Sequence, residues 1–205
     1  MTTTIRRITR QLSVPTTLLA AACAAAGILT GLFAYLDRSP IRRTYVPGTS
    51  ACWQQTAVAG VALLLYGYSW WRHQQRSGHQ PGRLLLLAPL GKPAARRTAR
   101  TARQALRSPS ASARALAALP LAGMLIYCLW RTGEQVTAGL DPNFTVNAWG
   151  GPTYLGAMAC HYLDIGLIMA ATAWLLNKIL LPDPASTMRR ATPAPAGPRP
   201  AAHRN

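Results

Sequence analysis

Residues 15 to 35 read PTTLLAAACAAAGILTGLFAY, and this uncharged run decides the fold. At 1.5 Å per residue, a helix of this length extends about 31 Å, which matches the hydrocarbon core of a bilayer. Because Arg6, Arg7 and Arg10 precede the run, a cleaved signal peptide is the alternative interpretation. The run continues past any cleavage point near residues 20 to 26, so it predicts a membrane span.

Two further runs have the same character. Residues 52 to 71 read CWQQTAVAGVALLLYGYSWW, with tryptophans at both ends that suit the two interfacial aromatic belts. Residues 154 to 176 form the other run, and Lys178 is placed to reach the headgroups from its end. Both runs predict membrane spans.

The remaining apolar run, residues 115 to 130, is short and contains Pro120. It falls just below the usual length of a span, although Arg114 and Arg131 could extend their side chains from its ends to the headgroups. We predict a span here mainly because the distribution of charge requires one.

The charge distribution also predicts the orientation. The chain of 205 residues has a formal net charge of +17 and only 5 acidic residues. With both termini and the loop 72 to 114 in the cytoplasm, 18 Lys and Arg residues lie inside and 4 outside, as the positive-inside bias favours. We therefore predict an all-α polytopic membrane protein, a four-helix transmembrane bundle over residues 1 to 181 with both termini cytoplasmic.

Composition gives two further expectations. The basic tail, residues 182 to 205, is rich in Pro and Ala and is expected to be disordered. Heavy use of Ala, Arg, Gly and Pro suggests a bacterial source, which would place the protein in the plasma (inner) membrane.

Gly27 and Gly31 form a GxxxG pair that predicts close helix packing and offers a face for a homo-oligomer.

The loop 72 to 114 contains four arginines that share one helical face by their spacing. They are Arg96, Arg100, Arg103 and Arg107. Leu84 to Leu87 and Leu90 precede them, so the segment is expected to lie on anionic lipids of the inner leaflet. A nucleic-acid-binding loop is the alternative, but no aromatic residue between Gly91 and Arg114 offers a stacking platform.

His161 and Asp164 lie inside the fourth predicted span, at i and i+3. Ionisable residues at membrane depth are costly and usually face the bundle interior or a water-filled cavity. The pair is a candidate for proton handling. The alternative is a packing device that joins the fourth helix to Gln54 or Gln55 by a hydrogen bond.

Other polar residues fall in the outer half of the predicted bundle and could line a cavity with this pair. The candidates are Thr30, Gln54, Gln55, Tyr127, Tyr154 and Cys160. No metal-ligand spacing is present among the four cysteines, which we interpret as small apolar residues. A disulfide such as Cys52 to Cys128 is open as an alternative, and no cofactor is expected, because no second histidine lies within a span to serve as an axial haem ligand.

Three functions are compatible with these features. The first is a non-enzymatic transport-associated or membrane accessory component. The second is an outer-leaflet enzyme on a lipid or lipid-linked substrate, with His161 as general base and Asp164 orienting it. The third is a membrane adaptor with a nucleic-acid-binding loop. The small size and the single ionisable pair favour the first, so an enzyme is not the expectation.

Overall fold

The computed structural model describes residues 12–50, 52–77 and 89–182, and within them the chain is helical. The helices are α1 (Val14–Leu36), α2 (Cys52–Ser77), α3 (Lys92–Ala105), α4 (Pro109–Ala138), α5 (Pro142–Thr145) and α6 (Tyr154–Ile179). No strand forms in these three ranges, where an isolated antiparallel bridge joins Leu12 and Gly91. The prediction of an all-helical chain is confirmed.

Three of the helices are long and apolar enough to cross a membrane: α1, α4 and α6. These correspond to the first, third and fourth predicted spans. The second, α2, has 26 residues but is less apolar, because glutamines occupy its first turn and Arg72 begins a polar final turn. By length and composition, α1, α4 and α6 could therefore cross a membrane, and a fourth span at α2 stays a prediction.

The third predicted span is part of a much longer helix. Residues 115 to 130 lie inside α4, which has 30 residues and continues through Pro120. Arg114 and Arg131, which bounded the predicted span, do not end the helix, because arginine is a good helix former and leaves the backbone hydrogen bonds intact. Arg131 pairs with Glu134, and Arg114 donates to the carbonyl of Ile179 at 2.8 Å.

Helices α1 and α4 pack backbone to backbone. A Cβ atom added to Gly27 or Gly31 would collide with the carbonyl oxygen of Trp130 or Glu134 on α4, and one on Gly133 would collide with the carbonyl of Ala24 on α1. Glycine is required here because only a missing side chain permits this approach. The Gly27/Gly31 face is thus covered by α4 of the same chain, so a homo-oligomer would need another surface.

Helix α6 packs on the adjacent face of α4. Ala157 and Met158 are buried, and the Met158 thioether lies against Gly139 beyond the end of α4. The Tyr162 hydroxyl donates to the carbonyl of Thr132 at 3.3 Å. Helix α4 is therefore the centre of the described fold, with α1 and α6 on two of its faces.

The two long loops at one end of the molecule are joined by asparagine side chains. The backbone N–H of Arg43 donates to Asn143 Oδ1 at 2.8 Å, and that of Val46 donates to Asn147 Oδ1 at 2.9 Å. The Asn147 amide returns a hydrogen bond to the carbonyl of Thr44. The predicted first and third loops consequently lie together, and we call this the loop end.

The opposite end, which we call the basic end, gathers the start of α1, the whole of α3 and the end of α6. The backbone N–H of Ser13 donates to the carbonyl of Leu90 at 2.8 Å. The Arg97 guanidinium donates to the carbonyls of Asn177, Leu180 and Leu181 at 2.7 to 2.9 Å. These contacts put the basic loop and the two chain termini of the described fold on one side of the bundle.

Candidate functional site

A cavity of about 520 Å³ opens at the loop end, between the start of α2 and the half of α6 nearer that end. Its lining combines one carboxylate with amides, a hydroxyl and two apolar side chains. The lining residues are Gly48, Thr49, Gln54, Gln55, Val58, Asn147, Trp149 and Asp164. A mixed lining of this kind suits a ligand that carries both a polar and an apolar part.

Local sequence explains how these residues are held. Gly48 adopts a positive φ of 87°, which glycine permits, and turns the first loop toward α2. The Thr49 hydroxyl then donates to the carbonyl of Val46 at 2.8 Å. Asn147 fixes the same loop from the other side through both atoms of its amide. The wall of the cavity is thus a loop tied in place at several points.

Asp164 is the ionisable group of this cavity. Its Oδ2 atom accepts a hydrogen bond of 3.3 Å from the Nε2 atom of Gln55. Gln55 is only 7% exposed, and its Oε1 atom is buried with no hydrogen-bond partner in the described part of the chain. The contact joins α2 to α6 and leaves one buried acceptor unsatisfied, a costly arrangement for a polar group.

His161 lies three residues earlier on α6 but has different neighbours. Its ring packs against Phe144 of α5, with ring centroids 6.2 Å apart. The guanidinium of Arg131 lies over the same phenylalanine, 5.5 Å from the ring centroid. His161 therefore faces the junction of α4 and α5, and it is not among the residues that line the cavity around Asp164.

Of the six other residues predicted to line a polar cavity, Gln54 and Gln55 are among the residues that line the cavity around Asp164. Thr30 donates to the carbonyl of Ala26 within α1, and Tyr154 donates to the carbonyl of Val136 on α4. The ring of Tyr127 packs against Trp130, and Cys160 lies beside Gly150. Membrane depth alone grouped these residues, whereas their helical faces separate them.

The sequence did not predict that loop residues line this cavity. Thr49, Asn147 and Trp149 come from connecting segments, for which helical periodicity gives no direction. A signal was nevertheless present in the pair Asn143 and Asn147, spaced four residues apart in a short polar loop. Asparagine side chains commonly satisfy neighbouring backbone groups in such segments.

Of the four arginines predicted to bind anionic lipid, Arg96, Arg100 and Arg103 lie on α3 and Arg107 lies two residues past its end. Arg96, Arg103 and Arg107 are exposed. Arg103 donates to the carbonyl of Ala99 within the helix at 3.2 Å, and Arg100 donates to the carbonyl of Pro182 at 2.7 Å. Arg97, which is not one of the four predicted arginines, donates hydrogen bonds to backbone carbonyls at the end of α6. Residues Leu84 to Leu87, the predicted apolar patch ahead of α3, lie outside the described residues.

The cysteines give no metal or disulfide arrangement in the part of the chain that the structure describes. Cys23, Cys128 and Cys160 form no disulfide, so Cys128 is not joined to Cys52 as in the alternative prediction. Across the same residues, no three His, Cys, Asp or Glu side chains come together as a group that could hold a metal ion. Cys128 is instead buried between helices.

No protein-family model matches this chain, and no curated protein or solved structure resembles it at a significant level. The class of protein is therefore inferred from the fold and the candidate site. They define an all-helical protein with three helices able to cross a membrane and a part-buried carboxylate beside a polar cavity at one end.

Proposed function

We propose that the protein is a non-enzymatic, transport-associated or accessory component of a bacterial plasma membrane, with a solute-accessible cavity on the outer side. The observation that carries this proposal is the position of Asp164 in a cavity of about 520 Å³ that opens at the loop end. Ionisable groups at membrane depth that face a cavity are typical of solute and ion pathways.

The proposal includes four membrane helices, with both termini and α3 cytoplasmic. Helix α2 supports a fourth span through exposed apolar residues along its middle: Val61, Leu63, Leu64 and Leu65. Such a surface needs an apolar environment, which lipid supplies. The gathering of α3 and the end of α6 at the basic end agrees with the positive-inside bias, which then puts the cavity outside.

The alternative of an outer-leaflet enzyme has less support. A general base must lie within hydrogen-bond reach of its substrate. His161, the residue predicted for that role, packs against Phe144 and does not line the cavity. Asp164 alone is the titratable side chain that the described cavity offers, which favours binding over acid–base catalysis.

Helix α3 completes the proposal as a contact with anionic lipid. Arg96 and Arg103 are exposed on α3, which packs against α4 at the basic end, and Arg107 is exposed just past the end of α3. Basic residues near an anionic leaflet contribute about 1 kcal/mol each at low salt. The helix has no aromatic side chain on which a nucleic-acid base could stack, so lipid is the better-supported partner.

Cysteine labelling in oriented membrane vesicles tests the proposal. Cys23, Cys52 and Cys160 are replaced by alanine, and the buried Cys128 is retained as background. A membrane-impermeant maleimide should then label Thr49→Cys and Val58→Cys in right-side-out vesicles. The matched control, Ala102→Cys on α3, should be labelled only in inside-out vesicles. Reversed labelling would refute the orientation. A Val58→Cys that is labelled in neither type of vesicle would refute an accessible cavity.

A further inference from the structure

The hydrogen-bonding groups of the cavity are unbalanced toward acceptors. Part of the donor capacity is used: Gln55 Nε2 donates to Asp164, Asn147 Nδ2 to the carbonyl of Thr44, and the Thr49 hydroxyl to the carbonyl of Val46. The Gln54 amide and the Trp149 indole N–H also line the cavity, whereas the Asp164 carboxylate adds acceptors alone. Acceptor positions remain on the Asp164 carboxylate, on the Thr49 oxygen and on the buried Oε1 atom of Gln55. A ligand that supplies several N–H donors would satisfy them.

The negative charge in the cavity also favours a ligand that supplies N–H donors, namely a cation. Asp164 is part-buried, and no cationic side chain in residues 12–50, 52–77 and 89–182 forms an ion pair with it. A carboxylate removed from water is costly unless an opposite charge approaches it. No Lys or Arg is among the residues that line the described cavity, and Arg131 of α4 pairs with Glu134 and lies over Phe144. The cavity therefore lacks a positive charge.

The apolar part of the lining favours an organic cation over a metal ion. Trp149 and Val58 face the same cavity as Asp164, and a tryptophan face attracts ammonium groups. A transition-metal ion would instead need several imidazole, thiolate or carboxylate ligands, and one carboxylate is what the described cavity provides. The volume is ample for a short alkyl chain beside the charged group.

From these three observations we propose that the cavity binds the ammonium group of a small organic cation, with Asp164, Gln55 and Thr49 accepting its N–H groups and Trp149 and Val58 covering its alkyl part. This names the ligand class of the cavity and rests on the proposed function. Asp164 supplies the charge, and Gln55 both orients that carboxylate and offers its own free acceptor.

Calorimetric titration of the purified full-length protein in detergent with n-butylammonium tests the inference. The wild type should bind saturably, and n-butanol, which has no charge, should not. Asp164→Asn preserves an acceptor for Gln55 and should weaken binding at least about tenfold, as loss of a charge-assisted contact does. The matched control is Asp37→Asn, a carboxylate at the same end of the molecule but outside the cavity, and it should bind as the wild type does.

Thr49→Val provides a second variant in case Asp164→Asn does not fold, because Thr49 lies in a loop and its loss leaves the helices intact. It should weaken n-butylammonium binding about threefold, the effect of one lost neutral hydrogen bond. Equal affinity in the wild type and Asp164→Asn, or no saturable binding by a folded wild type, would overturn the inference. Either result would leave the proposed function standing if Val58→Cys were still labelled from outside.

Discussion

The side-chain amide of Gln55 in α2 donates a hydrogen bond of 3.3 Å to the carboxylate of Asp164 in α6. These residues are 109 positions apart, and their contact lies in the sparse interface through which α2 meets α6. One polar contact therefore helps to close the bundle and also orients the carboxylate of the candidate site.

The first prediction concerns that hydrogen bond. Gln55→Leu should lower the stability of the purified protein by about 1 to 3 kcal/mol, because it leaves a part-buried carboxylate without its donor. Gln54→Leu is the matched control, since Gln54 is exposed in the same helical turn and should change stability little. Thermal unfolding in detergent measures both. Equal effects of the two substitutions would mean that the Gln55 contact contributes nothing.

The second prediction tests the close approach of α1 and α4. Gly27→Ala should destabilise the fold by at least about 1 to 3 kcal/mol, because the added methyl group collides with the Trp130 carbonyl and forces the helices apart. Gly123→Ala on α4 is the control, as its Cβ would meet open space. The unfolding midpoint and the yield of monodisperse protein are the measurements. A Gly27→Ala protein as stable as Gly123→Ala would contradict the packing described.

The third prediction separates His161 from the cavity. His161→Phe keeps an aromatic ring against Phe144 but removes both ring nitrogens. We expect a normal folded yield and unchanged labelling of Val58→Cys in this variant, because His161 does not line the cavity. If His161→Phe folds normally yet abolishes that labelling, or abolishes n-butylammonium binding, then a paired role of His161 and Asp164 must be restored.

The fourth prediction assigns different roles to two arginines near α3. Arg97 donates to three carbonyls at the end of α6, so Arg97→Ala should cost about 1.5 to 3 kcal/mol of stability. Arg107→Ala, at an exposed position just past α3, should leave stability within about 0.5 kcal/mol of the wild type. Chemical denaturation of both variants measures the difference, and a reversed order would contradict the assignment.

The fifth prediction tests lipid binding at the basic end. Replacing Arg103 and Arg107 together by Gln should weaken binding of a fluorescent phosphatidylglycerol to the detergent-solubilised protein by about 2 kcal/mol at low salt. The difference should shrink as salt is raised, because exposed charges are screened. A double variant that binds the lipid like the wild type, but loses affinity for duplex DNA, would favour the nucleic-acid adaptor instead.

The sequence predicted the helices well because their apolar runs are long and uncharged. The predicted span was shorter than α4. Arg114 and Arg131 look like span boundaries when their partners, Ile179 and Glu134, are not known. The same reasoning predicted a span at α2, and this stays a prediction, because its glutamines and polar final turn make α2 less apolar than α1, α4 and α6.

The site was predicted in part for a physical reason. Asp164 and Gln55 could be identified because a polar group at membrane depth needs a partner, and few partners exist at that depth. The sequence could not predict that Asp164 lines the cavity while His161 packs against Phe144. Residues at i and i+3 share a helical face only approximately, and α5 lies beside His161. Loop residues such as Thr49 and Asn147 depend on contacts distant in sequence.

The most direct test of the account is cross-linking between α2 and α6 in native membranes. With Cys23, Cys52 and Cys160 replaced by alanine, Gln55→Cys and Asp164→Cys in one chain should be joined by a short bifunctional maleimide. The pair Ile28→Cys and Thr137→Cys serves as the control, because the Thr137 hydroxyl donates to the Ile28 carbonyl at 2.9 Å across α1 and α4. Cross-linking of both pairs is the predicted result. Efficient linkage of the control without linkage of residues 55 and 164 would contradict a cavity formed between α2 and Asp164.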